Sequence, residues 1–185
     1  MHHPETAPVL QTKTGRLTIA RTMTTSQLLA DVLARNLGML KMTLADFTDA
    51  DMLVRPAPGA NHATWQLGHL ATAEHNLVNS AAPSAVPALP AGFADKFKKD
   101  TCKSDDGSQF PKKEEILSVI ERNRQATIAW VRGLSDADLE RPSPNPLGGM
   151  CPRIADLALL QSDHTTMHVG QFQVIRRKLG KPVLF

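Results

Sequence analysis

Two histidines four residues apart, His164 and His168, lie in a stretch of helical periodicity near the C-terminus. At 100° per residue their rings emerge on one face about one turn apart, so both can reach a single divalent ion. At steps of three and four that face reads Ile154, Leu157, Gln161, His164, His168, Gln171, Ile175, Leu179, with apolar ends bracketing a polar middle. Burying an amide or imidazole without a partner costs roughly 2–7 kcal/mol on transfer scales, so something must compensate for these groups. The opposite side carries Asp156, Asp163 and Arg177 and already supplies a solvent face. Spacing alone leaves two readings open, a hydrogen-bonded pair of interface histidines or a pair of metal ligands. A third imidazole on another helix favours the second, because helical bundles build metal sites from facing helices. His69 is the best-placed third donor, and Gly68 beside it removes bulk where another backbone or a ligand could approach.

The remaining polar groups sort by helical angle around these three. His75 follows His69 by six positions, about 120° around, and should point off the site. His62 precedes it by two turns, too far for the same ion but able to line an entrance. His2 and His3 fall in the N-terminal extension and carry no assigned role. Gln161 and Gln171 are candidates to orient the ligands or the substrate, with ordinary interhelical hydrogen bonding as the alternative. Asn36 and Asn123 interrupt apolar stripes and either face the cavity or make structural contacts. Trp65, one turn before His69, is a packing residue or a pocket wall. No general base stands out: Glu74 lies about 140° around from His69 and reads as a surface or rim residue. Cys102 and Cys151 lack CxxC spacing and a charge setting that would activate a thiolate, and are expected as free thiols.

Elements able to position these residues follow from apolar spacing. Residues 1–24 show no sustained period and are expected to be a flexible extension, with Met23 as an alternative start; residues 25–185 form the domain. Leu29, Leu33, Leu37, Leu40 and Leu44 write a first helix from an N-cap at Ser26 to about Ala45. Asn61 caps a second, running to about Ser80. Pro83, Pro87, Pro90, Gly92, Gly107 and Pro111 mark a long connection, the kind that serves as a lid or crossover. A third helix runs from Pro111 to Leu134, a short capped turn follows at Ser135, and the last helix spans about Arg153 to Leu179 before Gly180 and Pro182. Four long helices without alternating strand segments predict an all-α four-helix bundle with a long crossover between helices two and three.

Composition agrees with one domain: 185 residues, 42% hydrophobic and 21% charged. A net charge of +3 without a concentrated basic tract, and only two Trp, six Phe and no Tyr, argue against nucleic acid. Short clusters such as Lys96, Lys98 and Lys99, or Arg176, Arg177 and Lys178, read as solvated helix ends. No apolar run approaches the ~20 residues of a membrane span, and the start holds no apolar leader core, so a cytoplasmic location is expected.

The segments Asn61 to His75 (NHATWQLGHLATAEH) and His164 to Arg176 (HTTMHVGQFQVIR) resemble the DinB-like (DinB/YfiT) superfamily of four-helix-bundle metalloenzymes. The most specific elements are W-x-x-G-H-L from Trp65 to Leu70 and H-x-x-x-H-x-G-Q from His164 to Gln171. Phe110-Pro111 and the acidic turn at Asp136 and Asp138 match more weakly, and the extension departs from the usual pattern. The resemblance covers about Ser26 to Leu179. It implies a divalent ion, nickel or zinc, held by His69, His164 and His168, and it implies homodimers. It also implies thiol-dependent S-transferase or isomerase chemistry with a low-molecular-weight thiol. The expected function is therefore a metal-dependent transferase or hydrolase that activates a thiol or water toward a small molecule. A non-catalytic metal or ligand sensor and a purely structural bundle stay open as alternatives.

Overall fold

The computed structural model describes residues 22–144 and 147–184, and all but the last three residues of the expected extension lie outside them. The described residues form five α-helices with short 3-10 turns, and their one β-type pairing is the isolated bridge between Pro142 and Arg153. The helices are α1 (Thr25–Leu44), α2 (Ala63–Ala81), α3 (Lys113–Arg132), the single turn α4 (Asp136–Leu139) and α5 (Ile154–Lys178). α1, α2, α3 and α5 make the bundle. α1 and α2 each pack against α3 and α5, which gives the order α1, α3, α2, α5 around the barrel and sets the chain neighbours α1 and α2 on a diagonal.

Helix ends follow local hydrogen-bond chemistry, with two caps displaced from the expected residues. α1 is capped by Thr24, not Ser26: Thr24 Oγ1 accepts from Gln27 N at 3.2 Å, and Gln27 Oε1 accepts from Thr24 N at 3.1 Å. This reciprocal box satisfies two donors, whereas Ser26 sits buried in the first turn. α2 is capped by His62 instead of Asn61, with His62 Nδ1 accepting from Trp65 N at 3.1 Å. α5 stops at Gly180, whose φ of +68° only glycine takes readily. There Gly180 N donates to Arg177 O at 3.1 Å and Lys181 N to Arg176 O at 2.9 Å, the paired bonds that close an α-helix.

The main core joins Leu40, Leu44, Leu67, Leu70, Ile116, Ile120, Phe172 and Ile175 from the four helices with Phe93, Phe97 and Phe110 from the crossover. The crossover, residues 82–112, is fastened rather than loose. Arg55 donates to Cys102 O at 3.1 Å, Ser104 O at 3.2 Å and the Asp105 carboxylate at 2.8 Å. Phe97 lies directly over Gly68: a β-carbon there would stand 2.2 Å from its ring. The glycine next to His69 thus makes room for a crossover side chain, and not for the backbone or ligand that the sequence suggested.

A second correction concerns Arg176, expected among solvated charges. It is 2% exposed and donates to Thr43 O at 2.9 Å, to Pro182 O at 3.0 Å and to both oxygens of the Asp46 carboxylate. It ties the end of α5 back to the end of α1. The guanidinium also lies over the Phe47 ring at 5.7 Å, where a buried cation gains from the ring's electron-rich face. No helix among the described residues is long and apolar enough to cross a membrane.

Candidate functional site

His69 projects from α2 and His164 and His168 from α5, and packing of these two helices brings the rings together. Centroids of His69 and His164 are 5.0 Å apart, those of His69 and His168 5.8 Å, and those of His164 and His168 4.9 Å. One nitrogen from each ring lies within 4.8 Å of the other two. The Nε2 atoms of His164 and His168 approach to 3.2 Å. Two ligands bound at about 2.05 Å with a tetrahedral angle would stand about 3.3 Å apart, so this pair is already at coordination spacing.

The state of His168 follows from its neighbour. Its Nδ1 is 2.6 Å from Gln66 Oε1. The Gln66 amide nitrogen donates to Asn61 O at 2.6 Å, which orients the amide with its oxygen toward the imidazole. Nδ1 of His168 therefore carries the proton, and Nε2 presents a lone pair toward His164. Either a proton on His164 Nε2 or a cation must separate two such nitrogens.

Burial favours the neutral rings. His69 is held below the ordinary imidazole value by desolvation. Desolvation, then the neighbouring His69 and Arg124, push His164 down to about 4. His168 goes down to about 3 through desolvation and then the other two rings. At neutral pH all three present uncharged nitrogens, the form a metal requires. Borderline nitrogen donors in this number suit Zn²⁺ or Ni²⁺ and leave at least one coordination position for a water or substrate.

The walls are aromatic and built from α2 and α5, with the crossover anchoring the first of them. The indole of Trp65 stacks on His69 at 5.1 Å and 7° between planes. Its Nε1 donates to Lys98 O at 3.2 Å and Thr101 Oγ1 at 3.1 Å, so the crossover sets the ring's angle. Phe172 lies 6.4 Å from His168.

The structure separates the other sequence candidates from the cluster. Gln161 Nε2 donates to Leu157 O at 3.2 Å within its own helix and not to an imidazole. Gln171 is half-buried and makes no hydrogen bond to the rings, because Phe172, four positions after His168, takes the inward place. Asn36 Nδ2 donates to Ser162 Oγ at 2.6 Å and Thr166 Oγ1 at 3.0 Å, joining α1 to α5. Asn123 Nδ2 donates to Ala71 O at 3.1 Å, joining α3 to α2. His75 turns to Asn76 Oδ1 at 3.1 Å. His62 lines no entrance: it is fully buried, caps α2 through Nδ1 and bonds Ser104 O through Nε2 at 3.1 Å. Cys102 and Cys151 are free thiols, and burial pushes the Cys151 thiol up, away from reactivity.

Glu74 is the clearest departure from expectation. It is 3% exposed and receives both Arg124 Nε, at 2.8 Å, and Arg124 Nη2, at 3.0 Å. The same guanidinium donates to Leu33 O at 3.4 Å, Gln161 O at 3.3 Å and Thr165 Oγ1 at 2.9 Å. α2 buries residues on nearly every side because α3, α5 and the crossover all pack against it, so an angle of 140° leads into the α3 interface and not to water. Gln66 and Arg124 are the residues that sequence reasoning missed. Gln66 carried one signal, a position three before His69 on a buried face; Arg124 carried none, since its partners lie on three other helices.

Geometry and fold together define a helical bundle with a three-imidazole cluster, one ring buried and two half-buried, shared by two of its helices. The chain belongs to the DinB superfamily, whose family model matches residues 33–172. Solved structures share the fold. A conserved protein from Enterococcus faecalis aligns with a TM-score of 0.62 at 17% identity, over 86% of this chain and 100% of that one. YfiT from Bacillus subtilis, described as a probable metal-dependent hydrolase with an unusual four-helix bundle topology, aligns with a TM-score of 0.60. It is also 17% identical, over 98% of this chain and 95% of its own. No curated relative matches the chain significantly.

Proposed function

We propose that this protein is a divalent-metal-dependent enzyme in which His69, His164 and His168 hold one Zn²⁺ or Ni²⁺ ion and a small molecule is the substrate. The observation that carries the reading is the 3.2 Å approach of two neutral imidazole nitrogens, with a third donor from α2 alongside. Membership of the DinB superfamily and the likeness to YfiT, described as a probable metal-dependent hydrolase, support it. A bound ion supplies Lewis acidity that turns water or a thiol into a nucleophile near neutral pH. The chain's own residues do the positioning: Gln66 holds His168 in the Nδ1–H tautomer, Trp65 fixes the plane of His69, and the buried setting keeps protons off all three rings. Glu74 is not free to act as a base, because both its oxygens are taken by Arg124. The reaction is hydrolysis or S-transfer, the latter with a low-molecular-weight thiol as co-substrate, carried out by a cytoplasmic homodimer.

The test is elemental analysis of untagged protein purified without added metal, beside His69→Ala and His168→Ala. About one equivalent in the wild type and almost none in the variants supports the site, and equal content in all three removes it. Turnover of electrophilic acceptors with a panel of thiols, or of small esters and amides with water, then separates an enzyme from a sensor that only binds.

A further inference from the structure

Beside the imidazoles, a groove of about 480 Å³ runs along one stripe of α5. Leu160, Asp163, His164 and Met167 form its floor at helical spacing, and Leu77 of α2 with Leu147 and Met150 of the loop before α5 form its sides. His164 belongs to both structures: its Nε2 faces His168, and its ring borders the groove. The volume falls within the roughly 300–1,000 Å³ typical of small-molecule sites. Met150 is 69% exposed and Met167 55%, apolar surface that a folded chain rarely leaves open in one place without use. Methionine thioethers adapt to varied apolar shapes. Asp163 supplies the single charge among the lining residues.

We infer that this groove is the binding site for the apolar arm of the substrate, and that it selects neutral or cationic molecules over anionic ones. The inference rests on the metal-dependent reading for what happens at the far end of the arm, but not for binding. Continuity through His164 points the groove's contents at the imidazole cluster. A lone carboxylate on a Leu- and Met-lined wall attracts an ammonium and repels a carboxylate or phosphate. The anionic low-molecular-weight thiols therefore do not occupy this groove; it takes the uncharged or basic acceptor.

The experiment titrates N-phenyl-1-naphthylamine, a neutral dye that brightens in apolar sites, into wild type, Met150→Gln/Met167→Gln and Asp163→Asn. Each protein is measured metal-free and after zinc loading, with circular dichroism and sedimentation recorded alongside. The dye binds wild type saturably, and the double methionine variant, changed only at exposed positions, binds about tenfold more weakly or worse at unaltered helicity. Alkan-1-ols of six, eight and ten carbons displace the dye with affinity rising by up to about fourfold per methylene. Octylammonium competes at least about tenfold better than octanoate, and Asp163→Asn abolishes that preference. No saturable binding, or equal affinity in the double variant, overturns the inference. So does a wild-type dimer that excludes the dye and dissociates in the double variant, since a second copy would then cover the face. Dye binding with these responses in a protein that holds no zinc leaves the groove standing and removes the metal reading. Zinc binding without dye binding does the reverse.

Discussion

The hydrogen bond from His168 to Gln66 decides which nitrogen faces the cluster, and its loss is measurable. Gln66→Leu removes the acceptor, frees the ring to change tautomer and is expected to weaken zinc binding about 10–100-fold, read by competition with a chromophoric chelator. Gln66→Glu keeps an acceptor and is expected to retain binding. A Gln66→Leu protein with wild-type affinity would show that the contact is packing alone. The imidazoles also make stability depend on pH. His62, His69, His164 and His168 are all held below the roughly 6.5 of an unfolded histidine, chiefly by burial. As pH falls the unfolded chain takes up protons first, so the contribution is complete above about pH 6.5 and is lost progressively below it. The urea midpoint of metal-free protein should drop between pH 7.5 and 5, a range in which the lowered carboxylates do not yet titrate. A flat or rising midpoint is incompatible with four neutral rings, two buried and two half-buried. Such residues are only half readable from sequence. The step from His168 lands on Gln171 at three or on Phe172 at four, and both fit the helical period. Competition for core space gives the inward place to the phenyl ring. Gln66 looked like any polar helical residue until α5 supplied its partner.

Between elements, the informative contact is Phe97 over Gly68. Gly68→Ala introduces a β-carbon where the aromatic ring already lies, and either the ring or the crossover must move. Overpacking of this kind costs about 1–3 kcal/mol, to be read from urea denaturation. Limited proteolysis should show faster cleavage within residues 82–112, and unchanged cleavage there would mean that Phe97 yields without moving the segment. Helix number, order and approximate length were legible from leucine spacing and from the proline-glycine breaks, because apolar period and turn chemistry are local. The caps were less so: Ser26 and Asn61 are good capping residues, yet Thr24 with Gln27 completes a two-way box and His62 reaches Trp65 N. Side-chain geometry chose among near-equal candidates. Glu74 and Arg124 could not be matched in advance, since their pairing depends on how α2 and α3 face each other.

At the level of the whole bundle, the three imidazoles come from α2 and α5, so an ion held between them would join two segments distant in sequence. Zinc at about one hundred times its dissociation constant should add about 2.7 kcal/mol to stability. For a chain of this size that is a rise in Tm of roughly 5–10 °C, followed by scanning calorimetry. His69→Ala and His168→Ala should melt at the same temperature with and without zinc; a shift that survives in both places the ion elsewhere. The diagonal placement of α1 and α2 explains why the third donor was harder to locate than the first two. A spacing of four on one helix is visible in the sequence, whereas the distance from His69 to α5 depends on the order of helices around the barrel.

Arg124 touches a carbonyl of α1, a carboxylate of α2 and a carbonyl and hydroxyl of α5, and it depresses His164 by its charge. A single cationic hub thus serves assembly and donor chemistry at once. Replacing Arg124 would raise the basicity of that imidazole and loosen the contacts among all four rods in the same stroke, whereas Met150, Asp163 and Met167 lie exposed at the outer wall and take no part in that hub.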